Sequence, residues 1–302
     1  MKPARLAVWL LAGLLLAGCG GKRTRPSHVG GATAQQRPSA GAEAAGGFRD
    51  DLSKSQGSRY RDGSDSVPGD VLDVSKLAEP VPRVEPRSLY GNKSPYTVLG
   101  RSYRVLPSAR GYDERGIASF YGNKFHGYKT SSLETYDMYA FSAASTTLPL
   151  PSYARVTNLE NGKSVIVRVN DRGPFHQNRL IDLSYAAAVK IGIWPKGTGL
   201  VEVRGIDPGS PAQELPAPPA VTSGHPGIYL QVGAFSDADN AERLARRLRL
   251  ADLGAVQVME AEVNGRRVRR VRVGPLVDVD RADQVSARIE GMGLPRPQVA
   301  VD

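Results

Sequence analysis

Cysteine occurs once in 302 residues, at Cys19, so no disulfide can staple this chain to itself. Histidine is nearly as scarce, and His28, His126, His176 and His225 lie scattered without ligand spacing and without a cysteine partner, which argues against a metal centre. The apolar run at residues 6–16 is too short to cross a bilayer as a mature helix, which takes roughly 20 residues, and 40% hydrophobic content suits packed cores but not a polytopic membrane protein. Acidic residues fall short of basic ones and leave a net charge of +10, which invites a nucleic-acid reading. The excess sits mainly in residues 19–110, with 15 Lys and Arg against 9 Asp and Glu, whereas residues 224–302 are near balance at 12 against 11. A basic segment at that end suits anionic phospholipid heads or cell-wall carboxylates and gives no base-reading surface, so no nucleic-acid partner is expected.

What is present begins with a secretory signal: Lys2 and Arg5, the apolar run, then small residues and the cysteine. Leu16-Ala17-Gly18-Cys19 resembles a bacterial lipobox, in which cleavage before the cysteine leaves its thiol to carry diacylglycerol. Residues 1–18 are therefore expected to be a lipoprotein signal peptide and Cys19 the lipidation site and membrane anchor. Gly20, where an Asp would signal retention, resembles sorting to the outer membrane of a Gram-negative bacterium. Residues 19–94, rich in Gly, Ala, Ser, Pro, Arg and Asp without apolar period, read as a disordered tether.

Beyond it, YTVLGRSYRV at residues 96–105 reads as a short hairpin, and GIASFYG, YARVTN, SVIVRVN and LVEVRGI alternate like strands around one helix, YAAAVKIG. This is a β-rich barrel pattern over residues 95–206. A Pro-rich spacer at 207–226 separates it from a last domain, 227–302, that contains a repeat: VGAFSDADNAE from Val232 recurs 41 positions later as VGPLVDVDRAD from Val273. Each copy predicts a strand, an Asp-rich cap and a helix with apolar residues at i, i+3, i+4 and i+7. Asn264-Gly265 between two alternating runs predicts a tight hairpin, so the order is βαββαβ, a small split-βαβ sandwich.

Two acids stand at element ends in VNDRGPFHQNRLIDLSYAAA. Asp171 follows the strand Ser164–Val169 and enters a Gly-Pro turn; Asp182 precedes the helix that starts near Ser184, where it is either a groove contact or a helix cap.

GIASFYGNKFHGYKT, LPSYARVTNLENGKSVIVRVNDRGPF and RLIDLSYAAA resemble the double-psi β-barrel of the rare lipoprotein A family, the septal-ring lytic transglycosylases. GIYLQVGAF with VRRVRVGP resembles the SPOR domain, which binds glycan strands stripped of stem peptide. The resemblance implies cleavage between N-acetylmuramic acid and N-acetylglucosamine by the sugar's own C6 hydroxyl, giving a 1,6-anhydro ring without consuming water. No cofactor is needed; denuded glycan is the implied substrate, the division septum the implied place, and divisome proteins the implied partners. One carboxyl group suffices, provided its pKa is raised so that it first donates and then accepts a proton.

By motif the resemblance puts the acid/base at Asp171, with Glu134 in LETYDM as the carboxylate that raises its pKa or positions the sugar. Asp182, Ser145, His126 and Arg172 are implied to line the groove, His126 with a structural role as the alternative. Gln231, Phe235 and Arg272 are implied glycan contacts on the SPOR sheet, Phe235 with core packing as the alternative. Two departures stand out. Ser145 occupies the place of a common family histidine, and Ser131-Ser132-Leu133 replaces Ala-Asn-Gly before Glu134, where leucine is expected to resist a positive φ and alter the loop. A glycan binder of the same fold that does not cut is the alternative function.

Overall fold

The computed structural model describes residues 50–209 and 227–301, positions 55, 70, 177 and 264 excepted. The signal, Cys19, the first part of the tether and most of the Pro-rich spacer lie outside the described residues.

After a short helix α1 (Gln56–Arg59) come the hairpin strands β1 (Tyr96–Val98) and β2 (Arg101–Tyr103). Six strands then close a barrel: β3 (Asp113–Tyr121), β4 (Ser142–Ala144), β5 (Ser152–Asn158), β6 (Ser164–Asp171), β7 (Arg179–Ser184) and β8 (Thr198–Ile206). Their order around the barrel is β3-β7-β4-β6-β5-β8, and β3/β7 and β4/β6 are parallel pairs among antiparallel neighbours. A closed barrel is what the alternating runs led us to expect, and its mixed pairing is the double-psi form that the family resemblance implied. In β6, Val165, Val167 and Val169 are fully buried while Ile166 and Arg168 point outward, as a period of two requires. Helix α2 (Tyr185–Ile191) packs its buried face into the barrel core. Its Ser184 cap accepts the Ala187 amide, Gly192 closes it in the left-handed conformation, and Ala186, Ala187 and Ala188 are small enough to bury completely.

The last domain has strands β9 (Ile228–Phe235), β10 (Val256–Val263), β11 (Arg266–Leu276) and β12 (Gln298–Val301) in the order β10-β11-β9-β12, with helices α3 (Ala238–Leu250) and α4 (Val279–Gly291). The repeat is visible in the caps: Asp237 accepts the Asn240 amide and Asp278 the Arg281 amide. Ala241, Ala245 and Leu248 of α3 and Ala282, Val285, Ser286 and Ile289 of α4 are buried against the sheet.

One boundary needs correction. The tether expected through residue 94 is not loose over residues 50–93, which form a strap bound to the barrel. Leu72, Val74 and Leu77 pack on the barrel core. Asp65 accepts the amides of Gly122 and Lys124 at 2.7 and 3.0 Å, and the Ser66 carbonyl occupies the space beside Gly122, where a Cβ would come within 2.2 Å of it. Asn92 pairs through its amide with both the N–H and the carbonyl of Leu150. Glu85 accepts from Arg168 at 2.9 and 3.1 Å and from the Tyr153 hydroxyl. The strap is held by such single side chains reaching distant barrel residues, so it has none of the periodicity by which a strand or helix announces itself.

The Arg168 hydrogen bonds, against the opposing effect of burial, hold the Glu85 carboxyl down from 4.5 to about 2. Because the folded value is depressed, the stabilisation is complete above pH 4.5 and disappears as pH falls through about 2. We expect Glu85→Gln to cost about 1.5–3 kcal/mol at neutral pH, the range for a hydrogen bond to a charged group, and to loosen the strap around the exposed Arg83 and Arg87 so that trypsin cuts there faster. Unfolding midpoints that differ at pH 7 and converge near pH 2, together with faster cutting in the strap, are the readouts.

Candidate active site

The barrel register builds the site. Ser119 of β3 is paired with Asp182 of β7, Asp182 with Ala144 of β4, and Ala144 with Asp171 of β6. Directly paired residues share a face, and two strand spacings separate the Asp171 and Asp182 backbones by about 10 Å. Ala144, whose side chain is a single methyl, is the residue paired with both acids. Gly173, at φ 139°, keeps the turn after Asp171 free of a side chain; a Cβ there would lie 3.7 Å from Asp182 Oδ2.

Asp171 is held asymmetrically. Its Oδ1 accepts three donors at 2.7 Å: the Ser131 amide, the Ser131 hydroxyl and the Arg172 amide. Among the described residues none donates to Oδ2, so that oxygen is the place for a transferable proton. Burial pushes the Asp171 carboxyl above its ordinary range, against the Ser131 and Arg172 hydrogen bonds and the Arg172 charge, which pull it down. Asp182 behaves alike: burial pushes it up, the Ser119 hydroxyl on Oδ1 and the charges of Arg179 and His176 oppose, and the charge of Asp171 adds to the rise. The Asp171 charge acts on Asp182, and because a repulsion between two carboxylates belongs to both of them, the two titrate as a pair.

The second carboxyl of that pair is therefore Asp182, where the motif had suggested Glu134. Glu134 is occupied elsewhere. Arg168 and Asn170 both donate to its Oε2, the latter at 2.9 Å, and these bonds outweigh burial and leave its pKa lowered. It lines a neighbouring cleft of about 470 Å3 with Tyr139, Phe141, Arg168 and the strap residues Leu77 and Pro80. A sugar-positioning role fits this placement. Asp182 is likewise not the cap of α2, a task that Ser184 performs two residues later.

Three further expectations shift. Arg172 does not face a groove with a free guanidinium. It is buried, donates to the carbonyls of Gly91, Ser145 and Leu148 and to Asn92 Oδ1, and lies over the Tyr96 ring at 5.7 Å. Burial brings its pKa down to about 10, so it remains charged at neutral pH. Ser145 is also buried, its hydroxyl accepting the amides of Thr147 and Leu148, so it fixes the loop after β4 and offers nothing to a sugar. His126 is part exposed, accepts the Met138 amide at 3.2 Å and stands edge-on to Tyr139, a structural placement at the rim of the Glu134 cleft.

Leu133 contradicts its expectation more directly, because it adopts φ 66°. The Thr130–Leu133 turn is thus kept, with the Leu133 amide on the Thr130 carbonyl and the Thr130 amide on that of Glu134. An L-residue in this region carries a penalty of about 1–2 kcal/mol that glycine escapes. We expect Leu133→Val, stiffer at χ1, to lower stability by about 1 kcal/mol or more, and Leu133→Gly to be neutral or stabilising by up to about 1 kcal/mol, as thermal midpoints would show. Ser119, which holds Asp182, went unremarked in the sequence, and Ser131, which holds Asp171, was noted only as part of the departure before Glu134; a strand pairing brings the first to its acid and the Thr130–Leu133 turn the second.

On the SPOR-like sheet, Gln257, Arg272, Gln231 and Gln298 form one row across all four strands. The next row, Val256, Val273, Leu230 and Val299, faces the helices, so the polar row faces the other way. Phe235 does not join it. A bulge leaves Val232 unpaired between Gly233↔Val271 and Gln231↔Arg272, which reverses the alternation and turns Phe235 into the core beside Leu244.

Residues 113–204 match the family described as Lytic transglycolase, and residues 224–299 match the SPOR domain family. The protein named Endolytic peptidoglycan transglycosylase RlpA from Pseudomonas aeruginosa (strain UCBPP-PA14) is 38% identical over 94% of this chain and 93% of its own length. Its namesake from Vibrio cholerae serotype O1 is 41% identical over 79% of this chain and 88% of its own. The crystal structure of the RlpA SPOR domain from Pseudomonas aeruginosa is 32% identical over 24% of this chain and 97% of its own, with a TM-score of 0.24.

Proposed function

Since the chain belongs to the RlpA family, we propose that it is an endolytic peptidoglycan transglycosylase in which Asp171 alone shuttles the proton. Asp171 Oδ2–H donates to the glycosidic oxygen between N-acetylmuramic acid and N-acetylglucosamine as the C1–O bond breaks. The C6 hydroxyl of the same muramic residue attacks C1, and the Asp171 carboxylate takes its proton. The acid is regenerated, a 1,6-anhydro ring closes, and no activated water is required, which relaxes the two-carboxylate geometry of hydrolases. Asp182 keeps the Asp171 proton in place through its charge, and Glu134 orients the sugar in the adjacent cleft. The carrying observation is the one-sided grip on Asp171, three donors on Oδ1 and none on Oδ2, in an environment that raises its pKa.

The remaining parts of the reading concern place and substrate. The row Gln257–Gln231–Gln298, with Arg272 buried between the first two as its support, holds peptide-free glycan, and the lipid on Cys19 keeps the enzyme on the periplasmic face of the outer membrane, enriched at the septum with divisome proteins nearby. Incubation of the full chain with denuded glycan should yield anhydro-muramyl products by mass. Glycan binding with no such product would replace the enzyme by a non-cutting binder of the same fold.

A further inference from the structure

Barrel and last domain meet at a seam. Asn178 donates to Asp283 at 2.7 Å and to Ser286 at 2.9 Å on α4, and barrel residues Ile117 and Leu200 join the hydrophobic cluster of the last domain. Beside the seam lies a cavity of about 510 Å3, within the usual range for sites that hold small organic ligands. Its walls come from both domains. Pro174 and His176 reach it from the turn that follows Asp171, and Gln298 from the end of the polar row on the SPOR sheet. The cavity thus draws one wall from the turn that follows Asp171 in the chain and another from the edge strand of the sheet.

Its charge is one-sided. Arg101, Arg115, Arg179 and Arg296 line it against a single carboxylate, Glu114. Arg115 is paired with Glu202 and Arg296 with Glu290. Arg101 is exposed, and among the described residues no carboxylate pairs with it or with Arg179. The Arg179 Nε is buried with no hydrogen-bond acceptor, an uncommon state for a guanidinium N–H. Two guanidiniums without a contacting carboxylate, Arg179 acting on Asp182 only at a distance, line a sugar-sized cavity and suit a carboxylate ligand.

We propose that this cavity is a carboxylate-sugar subsite in which Arg101 and Arg179 bind the free lactyl carboxylate of a peptide-free muramic residue. The inference rests on the glycan-cleaving reading and adds a reason for its substrate class. When a stem peptide is attached, the lactyl group is a neutral amide with bulk behind it, and the charge-assisted bonds to both arginines are lost. A strand stripped of peptide keeps them, and the same strand can lie along the sheet row, through the cavity and up to Asp171.

The test uses the full chain and two glycans: peptide-free strands, and the same strands with their lactyl carboxylates converted to primary amides, which are neutral and of equal size. The parent should bind the carboxylate form about ten-fold more tightly, as expected for losing charge-assisted bonds. Arg101→Gln with Arg179→Gln should bring the carboxylate form to the level of the amide and leave the amide unchanged, whereas Arg101→Lys with Arg179→Lys should retain part of the preference. Arg101→Gln alone, at an exposed position that folding tolerates, should reduce the preference about three-fold. Equal binding of both glycans by the parent, or an undiminished preference in any Gln variant, would overturn the subsite. Anhydro product formed from both glycans with equal kcat/KM would also overturn it and leave the proposed activity standing. A clear binding preference without product from either glycan would do the reverse, supporting the subsite and removing the activity.

Discussion

Replacing Asp171 by Asn should lower the rate of anhydro-product formation by about two orders of magnitude or more, the scale of general acid–base catalysis, while the folded protein becomes no less stable at neutral pH. Both halves follow from one geometry. Asn retains an oxygen for Ser131 and Arg172, whose three bonds all fall on Oδ1, so the turn after β6 has no reason to move. It cannot carry a proton to the glycosidic oxygen. The folded carboxyl is raised above its ordinary value of 3.8, so its contribution to stability is complete below pH 3.8 and is lost as pH rises through the folded value. The Asn variant is spared that loss. Its unfolding midpoint should equal or exceed the parent's at pH 7, and the gap should close below pH 3.8. A midpoint well below the parent's at neutral pH would mean that the carboxylate is native and favourable, which an acid donor cannot be.

The same pair predicts the pH profile. Activity requires Asp171 protonated, so kcat/KM should fall on the alkaline side. Asp182→Asn removes a neighbouring negative charge and should move that limb to lower pH. Glu134→Gln should lower the rate through sugar positioning and leave the limb where it is. A limb that follows Glu134 and ignores Asp182 would restore the assignment that the motif suggested.

The largest loss of stability is expected at Arg172. Arg172→Leu keeps an apolar stem but strands three buried carbonyls and the Asn92 amide oxygen, each costing about 1–3 kcal/mol if it finds no substitute. With partial relaxation the sum is about 3–5 kcal/mol, which for a domain of this size lowers the thermal midpoint by about 10–15 °C. Arg172→Lys supplies one point charge where a planar fork meets four acceptors, so it should recover only part of the loss. If Arg172→Leu melts with the parent but binds glycan poorly, the side chain belongs to the groove after all.

These residues also show how far the sequence reaches. Alternation in β6, the antiparallel pairing of β10 with β11 and the duplicated Asp caps follow from local patterns, and each appears in the structure where it was read. Asp171 and Asp182 were legible as acids at element ends, but their partnership depends on Ala144 lying in register with both, and register between distant strands is not a local property. Phe235 stayed open between a glycan contact and core packing, because one unpaired residue reverses a period-two pattern without altering composition, and the structure decides for the core. Arg172 was misread because an arginine beside a catalytic motif looks the same in sequence whether it meets a sugar or four acceptors of its own chain.

The strap has a consequence that can be expressed as a length. From Cys19 to residue 94 a fully extended chain could span about 270 Å, but from Cys19 to Asp50, where the carboxylate already accepts the Lys129 amide, the limit is about 110 Å. With the proposed lipid on Cys19, Asp50 can stand no farther than about 110 Å from the membrane surface, and the barrel reaches only its own width beyond that for as long as the strap stays docked. Strands lying deeper than that are out of range until Glu85, Asp65 and Asp50 let go.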